Sequence, residues 1–512
     1  RSLDNISQLW STHYWAGKID ANDTGLYRPL TLTTYALQYS MHGQNATPYH
    51  ILNILLHALA CFALIRLIAL LFNDIRLTAL SGLFFAIHPI HTEAVCGVVG
   101  RAEILSAIFI ITAGISYHHW RKNGQVKWLA ALALSTLGAI ASKEHGFMLF
   151  AILGLQEALY VFTSKKYQFN QKRFWSAMAV VIAISIILWM IRSAVTGPAV
   201  PHEQWLVVST GDRMATATRT IAEYVGMHIV PLKLSADYWT DEVNIVGWES
   251  IGVIISFLIL AAVLALAVWK RRELSSFSWG ILFFFLTLAP VSNFFFAAGF
   301  LKAERVLYIP SIGLITAMAG ILAWLLNQKK FKIAAIVLIV ALAGLFIFKT
   351  ITRQPDWKNN YTLAQATVET SPNSPRFNDM LGLELRKQER HEEAMVYFEK
   401  AVQGNPNHVP ALVNLATSYK NLGKNAEAAQ LLEKALRTDE GTMATYVNLM
   451  SVYRAMENYD KNLEIAQLAI ARFPQSAAVL WNAANAYQLK NNMQMANELR
   501  AKAVAIDPSM AE

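Results

Sequence analysis

The sequence predicts an all-α protein with two unlike parts, a polytopic membrane domain followed by a soluble solenoid of helix pairs. The 512-residue chain is 54% hydrophobic, its mean hydropathy is +0.32, and its long apolar runs precede residue 353. The rest of the chain repeats with a period of 34 residues. In lipid only helices and closed barrels satisfy their own backbone, and a 34-residue period is typical of tetratricopeptide repeats.

Six apolar runs have about the 20 residues that a membrane helix needs. They lie near residues 49–72, 97–118, 174–195, 249–269, 304–326 and 332–352. Less regular stretches lie near 76–95, 128–162 and 277–298, and the second of these is long enough for two helices that meet near Lys143. We therefore predict a first extracytoplasmic loop at 1–48 and a membrane domain of about ten helices at 49–353.

Basic residues predict the orientation of these helices, because cytoplasmic loops carry an excess of Lys and Arg. They occur on alternate connections, at Arg76, Arg121-Lys122, Lys165-Lys166, Lys270-Arg271-Arg272 and Lys329-Lys330. The opposite side then receives the loop 1–48, a long loop at 196–247 and the repeats. This pattern also accounts for the net charge of +9, so we expect a membrane protein without a nucleic-acid partner.

Four charged segments are predicted at the outer ends of the helices, where an ionisable group pairs with another or faces a polar cavity. Their candidate substrate-binding residues are Tyr27, Arg28, His88, His91, Glu93, Arg101, Glu103, Lys143, Glu144, Glu304 and Arg305. A cavity lined by the cations of this set suits an anionic head group, because guanidinium and ammonium groups bind phosphate oxygens. The cations that we expect to line it are Arg28, Arg101, Lys143 and Arg305.

The alternative interpretation is that residues adjacent in sequence form local ion pairs that only stabilise helix ends. The pairs in question are Arg101 with Glu103, Lys143 with Glu144, and Glu304 with Arg305.

His88, His91 and Glu93 are candidate metal ligands by residue type. Their spacing differs from that of helical zinc sites, and Pro89 breaks the helical geometry that would align the two imidazoles. We therefore expect no metal ion and a hydrogen-bonding role for both histidines at the cavity wall.

Several short motifs occur along the front part in a defined order. They are Tyr27-Arg28-Pro29-Leu30, Tyr49-His50-Ile51-Leu52-Asn53, His88-Pro89-Ile90-His91-Thr92-Glu93, Gly100-Arg101-Ala102-Glu103, Ser142-Lys143-Glu144 and Glu304-Arg305-Val306-Leu307-Tyr308-Ile309-Pro310-Ser311. In this order, ahead of such repeats, the chain resembles the transmembrane and tetratricopeptide-repeat O-mannosyltransferases and their bacterial relatives, which have the C-type (GT-C) glycosyltransferase fold. The loop 196–247 also resembles the long central segment of that family.

The resemblance implies transfer of a sugar, by analogy mannose, from a polyprenyl- or dolichyl-phosphate carrier to a protein Ser or Thr hydroxyl outside the cytoplasm. An inverting transfer needs a carboxylate to deprotonate the acceptor. The family carries an acidic pair in its first outer loop, and we expect that pair upstream of Arg1. Glu93 is the alternative base within the chain, whereas Asp20 and Asp23 are interpreted as exposed loop acids and Asp4 is given no role.

The tail is predicted to contain a linking helix at 354–374 and four tetratricopeptide repeats at 375–512. Residues 34 positions apart are similar in character. Leu381, Leu415, Leu449 and Ala483 form one apolar set, and Ala401, Ala435, Ala469 and Ala503 form a set of small residues. Asn414, Asn448 and Asn482 form a third set on the first helices of their repeats. An amide both donates and accepts, so these residues are candidates for holding an acceptor peptide; the alternative is that they bond neighbouring helices.

The sequence therefore predicts a membrane glycosyltransferase whose partners are a lipid carrier and an acceptor protein bound by the repeats. The alternative is a non-catalytic membrane-anchored scaffold for protein–protein interaction. A transporter would show inverted repeats among its spans, and we find none in the sequence. A bacterial inner membrane with periplasmic repeats is favoured, with an ER membrane and lumenal repeats as the alternative.

Overall fold

The computed structural model describes residues 6–16, 25–163, 168–240, 242–438 and 441–511. It divides into two compact units, Arg1–Trp357 and Lys358–Glu512. Every regular element in the described ranges is helical, so the predicted all-α fold is confirmed.

The first unit contains fifteen α-helices within the described ranges. They are α1 (Ile6–Leu9), α2 (Pro29–His42), α3 (Ala46–Phe72), α4 (Ile75–Ile87), α5 (Thr92–Cys96), α6 (Arg101–Asn123), α7 (Val126–Ser142), α8 (Leu149–Thr163), α9 (Gln171–Val195), α10 (Glu203–Val207), α11 (Thr210–Ile229), α12 (Ile251–Trp269), α13 (Ser275–Leu288), α14 (Tyr308–Asn327) and α15 (Lys332–Arg353). Short 3₁₀ turns lie between some of them, at Pro89–His91, Val98–Gly100, Glu144–Met148, Ala289–Val291 and Arg305–Leu307.

Six of the described helical segments are long and apolar enough to cross a membrane. They are Ala46–Phe72, Val98–Asn123, Glu144–Thr163, Gln171–Val195, Ile251–Trp269 and Lys332–Trp357. Shorter apolar helices lie at Ile75–Ile87, Val126–Ser142, Ser275–Val291 and Ser311–Asn327. By length and composition these helices indicate a membrane protein, while the number of spans stays a prediction.

Two segments that we predicted as loops contain helices. The predicted loop 1–48 includes α2, which begins at Pro29, a residue whose fixed φ suits the first helical position. The predicted loop 196–247 includes α11, which begins after the capping side chain of Ser209. Both segments were predicted only as connections outside the membrane, and the absence of a membrane-length apolar run leaves room for helices of this kind within them.

The core of the first unit lies around α6 and α14. In the segment that contains α6, 72% of the most apolar 18-residue stretch is buried inside the unit, whereas in the segment that contains α15 the buried share is 11%. Gly280 of α13 and Gly313 of α14 allow a close crossing, since a Cβ atom at either glycine would lie 2.3 Å from the carbonyl oxygen of the other. Small residues at a membrane helix crossing let the backbones approach in this way.

The second unit contains one leading helix and four helix pairs. The leading helix is α16 (Asn360–Thr370), and the pairs are α17 (Pro375–Lys387) with α18 (His391–Gly404), α19 (Val409–Asn421) with α20 (Asn425–Arg437), α21 (Met443–Ala455) with α22 (Tyr459–Arg472), and α23 (Ala477–Leu489) with α24 (Met493–Ile506). The alanine set at 34-residue spacing is completely buried, as close packing between helices requires. The predicted linking helix is shorter than 354–374, because a separate 3₁₀ turn occupies Gln354–Trp357.

Candidate functional site

Ion pairs between distant parts of the chain connect the charged turns of the first unit. Arg28, the residue before α2, donates through Nη2 to Glu144 Oε2 at 2.9 Å and through Nε to Oε1 at 3.2 Å. This two-point geometry orients the guanidinium as well as pairing its charge. Burial alone would lower the pKa of Arg28. The neighbouring carboxylate of Glu144 more than offsets this effect, so the pKa of Arg28 lies above its ordinary value and the guanidinium stays charged.

The second pair joins Glu93 of α5 to Arg305, which begins the 3₁₀ turn before α14. Arg305 donates through Nη1 to Glu93 Oε1 at 2.7 Å and through its backbone N–H to Oε2, also at 2.7 Å. The Glu93 side chain is 7% exposed and that of Arg305 is 35% exposed. Both oxygens of Glu93 therefore hold Arg305 in place while part of the guanidinium remains accessible.

The third pair is the most enclosed of the three. Lys143, which follows α7, forms an ion pair with Glu103 Oε1 in α6, and both side chains are buried. Glu103 Oε2 has no hydrogen-bond partner among the described residues. A buried ion pair with one unsatisfied oxygen is sensitive to the loss of either partner.

Glu304 is completely buried in a separate network. Its carboxylate forms an ion pair with Arg353 at the end of α15, and Oε1 accepts hydrogen bonds from the Ser235 backbone N–H and the Tyr238 hydroxyl, both at 2.6 Å. This network ties the segment after α11 to the last helix of the first unit. Our sequence reasoning missed Arg353, although an arginine at the end of an apolar helix is a signal that could have identified it.

The local ion pairs considered as the alternative interpretation are not the ones that form. Glu103 pairs with Lys143, Glu144 pairs with Arg28, and Glu304 pairs with Arg353. The physical reason is that side chains one or two positions apart on a helix do not face each other. Each acid therefore finds its cation on another element of the fold.

Arg28, Lys143 and Arg305 share one electrostatic neighbourhood. Lys143 lies within electrostatic reach of Arg28, Glu144, Arg305 and Glu93, and Arg305 lies within reach of Arg28. We call these three cations with their acids Glu93, Glu103 and Glu144 the outer-turn cluster. The fold brings these residues together from five places in the chain, between residues 28 and 305.

Arg101 lies outside the outer-turn cluster, which corrects our placement of it at the same cavity wall. Its fully buried guanidinium donates to Asn53 Oδ1 at 2.9 Å and to Gln38 Oε1 at 2.6 Å. It also donates to the Thr34 hydroxyl and the Tyr49 carbonyl, both at 3.3 Å. These neutral acceptors enclose it completely, so Arg101 connects α2, α3 and α6 and has no exposed surface for a phosphate.

The two motif histidines and Tyr27 are engaged with the protein itself. His91 bonds through Nδ1 to the Phe85 carbonyl and through Nε2 to the Ser311 hydroxyl, each at 2.8 Å. His88 Nε2 donates to the His228 carbonyl at 3.0 Å. These contacts agree with a hydrogen-bonding role, but both histidines are buried and do not lie at an open cavity wall.

Tyr27 is also buried, and its hydroxyl donates to the Trp10 carbonyl at 2.7 Å. The hydroxyl therefore holds the residue that follows α1 against the segment that leads into α2. Asp4, Asp20 and Asp23 lie outside the described residues.

The three asparagines of the repeats have different surroundings. Asn414 donates to Asp379 Oδ1 on the preceding first helix at 2.8 Å, and Asn482 donates to the Ala478 carbonyl of its own helix at 2.9 Å. Asn448 is partly exposed on α21. Asn414 therefore bonds a neighbouring helix, as the alternative interpretation of the set predicted. Asn414 and Asn482 use only their NH2 groups in these bonds, so the side-chain oxygens of the set remain as acceptors for a peptide.

Comparisons with known proteins cover both units. A tetratricopeptide-repeat family model matches residues 385–452. Protein O-mannosyl-transferase TMTC3 of Mus musculus is 26% identical over an alignment of 453 residues that covers 82% of this chain and 49% of that protein. Protein O-mannosyl-transferase TMTC1 of Homo sapiens is 27% identical over 467 residues, with coverages of 80% and 51%.

Over about four fifths of its length the chain is similar to the TMTC O-mannosyl-transferases. This finding confirms the resemblance that we drew from the ordered motifs. The chain spans about half the length of the relatives that it matches. Among solved structures, MamA 41-end from Desulfovibrio magneticus RS-1 is 17% identical with a TM-score of 0.27, covering 32% of this chain and 89% of that one.

In the repeats that this chain shares with its TMTC relatives, Asp379 is a buried acid whose pKa is raised. The residue is 6% exposed. Burial raises the pKa of its carboxyl to about 6, while the hydrogen bond from Asn414 partly opposes the rise. Since the folded state holds the proton more tightly than the unfolded state, this group stabilises the fold below about pH 4 and loses that contribution as the pH rises through 6.

We therefore expect Asp379→Asn to stabilise the repeats by about 1–3 kcal/mol at pH 8, with a gain that shrinks towards pH 4. Asn removes the buried charge and keeps an oxygen for Asn414. The measurement is thermal unfolding of variant and wild type at both pH values. Asp460→Asn is the control, because Asp460 is 87% exposed; an equal gain from both variants would contradict the burial explanation.

Proposed function

We propose that this protein is a membrane O-mannosyltransferase that transfers mannose from a polyprenyl-phosphate carrier to protein Ser or Thr hydroxyls on the extracytoplasmic side. The observation that carries the proposal is the extent of the similarity to named protein O-mannosyl-transferases. It covers about four fifths of the chain and therefore includes most of the membrane unit as well as repeats. A shared repeat alone would match only the second unit.

The outer-turn cluster supports a role in binding the donor phosphate. Arg28 and Arg305 have side chains that are 18% and 35% exposed. Among the described residues, Arg305 Nη2 and Nε and Arg28 Nη1 donate to no acceptor. Their carboxylate partners fix the orientation of both guanidinium groups, so the remaining donors are preorganised for phosphate oxygens.

In the proposed reaction an acceptor hydroxyl attacks the anomeric carbon, and the bond from that carbon to the lipid phosphate oxygen breaks. Negative charge then develops on the departing phosphate, where cations fixed in advance stabilise it. Glu93 is a poor base for the acceptor hydroxyl, since both of its oxygens already accept hydrogen bonds from Arg305. We assign Glu93 to positioning Arg305 and leave the acceptor proton to the acidic pair that the family resemblance implies.

The runner-up is a non-catalytic membrane-anchored scaffold that recruits partners through its repeats. The observation that favours it is that Glu93, Glu144 and Glu304 are each held by an arginine. A scaffold predicts that the purified protein binds peptides but transfers no sugar from any lipid carrier. A transferase predicts both activities.

The acceptor part of the proposal predicts an effect of the asparagine set. Replacing Asn414, Asn448 and Asn482 together by Ala is expected to weaken binding of an extended Ser/Thr peptide about tenfold or more, since each lost hydrogen bond contributes about 0.5–1.5 kcal/mol. Fluorescence anisotropy with a labelled peptide measures the change, and circular dichroism checks that helical content is retained.

The matched control for this triple variant removes three amides from the second helices. Gln403, Gln430 and Gln467 are exposed on α18, α20 and α22, and their joint replacement by Ala is expected to leave binding unchanged. Unaltered binding in the asparagine variant would refute a peptide-holding role.

A further inference from the structure

A further set of residues follows the 34-residue register of the repeats and is cationic. Arg386, Lys420 and Arg454 occupy the same position on α17, α19 and α21, and Gln488 occupies it on α23. Equivalent positions in stacked repeats lie side by side along the solenoid. The register therefore predicts a row of three positive charges that ends at a neutral amide.

The contacts of these residues indicate that they lie on one surface, formed by the first helices of successive repeats. Lys420 Nζ donates to the Ser451 hydroxyl of α21 at 2.6 Å. Burial lowers the pKa of Lys420, and the nearby charge of Arg454 lowers it further. Arg386 lies within electrostatic reach of Asp379, which is on the same helix and bonded to Asn414. Lys420 and Arg454 are thus near neighbours, and the 34-residue register places Arg386 next to Lys420 along the row.

This row has no ion-pair partners in the described part of the solenoid. Other basic residues of the unit do have them, in the pairs Lys387–Glu384, Arg390–Glu393, Lys461–Glu433, Lys490–Asp460 and Lys502–Glu498. The first helices α19, α21 and α23 contain neither Asp nor Glu. None of these three helices therefore supplies an acid that could pair with the row.

The only acids on α17 are Asp379 and Glu384. Asp379 is buried and its carboxylate accepts the Asn414 amide, while Glu384 is held by Lys387. Neither forms an ion pair with Arg386. Three like charges in a row on a protein surface attract a ligand of opposite charge and raise its rate of encounter.

We propose that Arg386, Lys420 and Arg454 form a carboxylate-binding track and that the segment of protein bound by the repeats is acidic. Charge complementarity selects this occupant, and the asparagine set lies six positions earlier on the same first helices to bond the peptide backbone. The inference rests on the proposed function, since it names the class of acceptor segment that the repeats bind.

The geometry also specifies a spacing for the acidic side chains. Packed helices lie about 8–10 Å apart. A polyproline II segment rises about 3.1 Å per residue with three residues per turn, so every third side chain points to the same side about 9 Å further on. Glu or Asp at every third position of such a segment can therefore meet successive cations of the track.

The test uses the whole purified chain in nanodiscs of neutral lipid and three labelled 12-residue peptides. The first peptide has Glu at every third position, the second has Gln at those positions, and the third has the same number of Glu residues in one block. Fluorescence anisotropy at low and physiological salt gives each affinity. We expect the spaced Glu peptide to bind at least tenfold more tightly than the Gln peptide and more tightly than the block peptide.

The variant Arg386→Gln/Lys420→Gln/Arg454→Gln is expected to bind the Glu and Gln peptides equally. Arg386 also lies over the Phe398 ring, 5.6 Å from its centroid. For that reason the double variant Lys420→Gln/Arg454→Gln provides a second test that leaves this packing intact, and it is expected to lose most of the preference for Glu.

The control variant removes the same amount of charge from the second helices. Lys400, Lys434 and Lys502 also follow the 34-residue register, on α18, α20 and α24, and their joint replacement by Gln is expected to keep the preference for the spaced Glu peptide. An equal loss in track and control variants would overturn the proposal, because net charge alone would then explain binding. Equal affinity of the wild-type protein for the Glu and Gln peptides would overturn it as well.

These assays contain no donor lipid, so they separate the two proposals. Selective binding of the spaced Glu peptide by a protein that transfers no mannose would contradict the transferase proposal and leave the track supported. Mannose transfer without a preference for acidic segments would contradict the track alone.

Discussion

Arg305→Ala is expected to lower mannose transfer by the full-length protein about 100-fold or more, because removal of one preorganised donor to a developing negative charge typically costs that much. Arg305 is the most exposed cation of the outer-turn cluster, and Glu93 fixes its orientation through two hydrogen bonds of 2.7 Å. The measurement is the initial rate of transfer from polyprenyl-phosphate mannose to a Ser/Thr peptide.

The control for this prediction is Arg219→Ala. Arg219 lies on α11 and forms an ion pair of 3.2 Å with Glu223, and its side chain is 37% exposed, close to the value for Arg305. We expect its replacement to change the rate less than threefold. A near-normal rate in Arg305→Ala would contradict the phosphate role of the outer-turn cluster.

Lys143→Met is expected to destabilise the membrane unit by about 3–5 kcal/mol, the typical cost of leaving one partner of a buried ion pair alone. The variant leaves Glu103 charged and enclosed, and one oxygen of Glu103 already has no partner among the described residues. Thermal unfolding of the purified protein in detergent measures the loss. Lys270→Met is the control, since Lys270 pairs with Glu273, whose side chain is 70% exposed, and such pairs contribute about 0–1 kcal/mol.

The double variant Lys143→Met/Glu103→Leu is expected to recover most of this stability, because well-packed apolar residues can replace a buried pair at little cost. It also separates the two possible roles of Lys143. Recovered stability together with low transfer supports a contact with the donor phosphate. A single variant Lys143→Met as stable as Lys270→Met would contradict the enclosed pair.

The helices could be predicted from the sequence because local chemistry determines them. Lipid-length apolar runs predict α3, α9, α12 and α15, since a backbone in a bilayer has to bond within its own segment. The 34-residue period predicts the repeats in the same way, because each repeated residue type has one packing role. Amphipathic helices outside the membrane runs, such as α11, lack so direct a signal.

The residues of the candidate site could also be predicted, but their partners could not. Charges near helix ends indicate that Lys143 and Glu144 are paired, and adjacency in sequence suggested that they pair with each other. The fold instead brings Glu103 to Lys143 and Arg28 to Glu144. Which helices lie side by side depends on packing over the whole unit, and a single sequence contains no direct record of it.

The partners of Arg101 could not be predicted from the sequence either. Its sequence context, beside Glu103 at the start of an apolar helix, is that of the other cations in the motifs. Only the positions of Gln38 and Asn53 on α2 and α3 show that neutral groups enclose it. A motif therefore indicated a polar function for Arg101 without indicating whether its partner is a ligand or the protein.

The most direct test of the transferase proposal is mass spectrometry of a Ser/Thr peptide after incubation with the full-length protein and polyprenyl-phosphate mannose in reconstituted membranes. We predict a mass increase of one hexose on a Ser or Thr side chain, dependent on the lipid donor and strongly reduced in Arg305→Ala. Peptide that binds the protein but carries no hexose under any donor condition would contradict the account and support the scaffold.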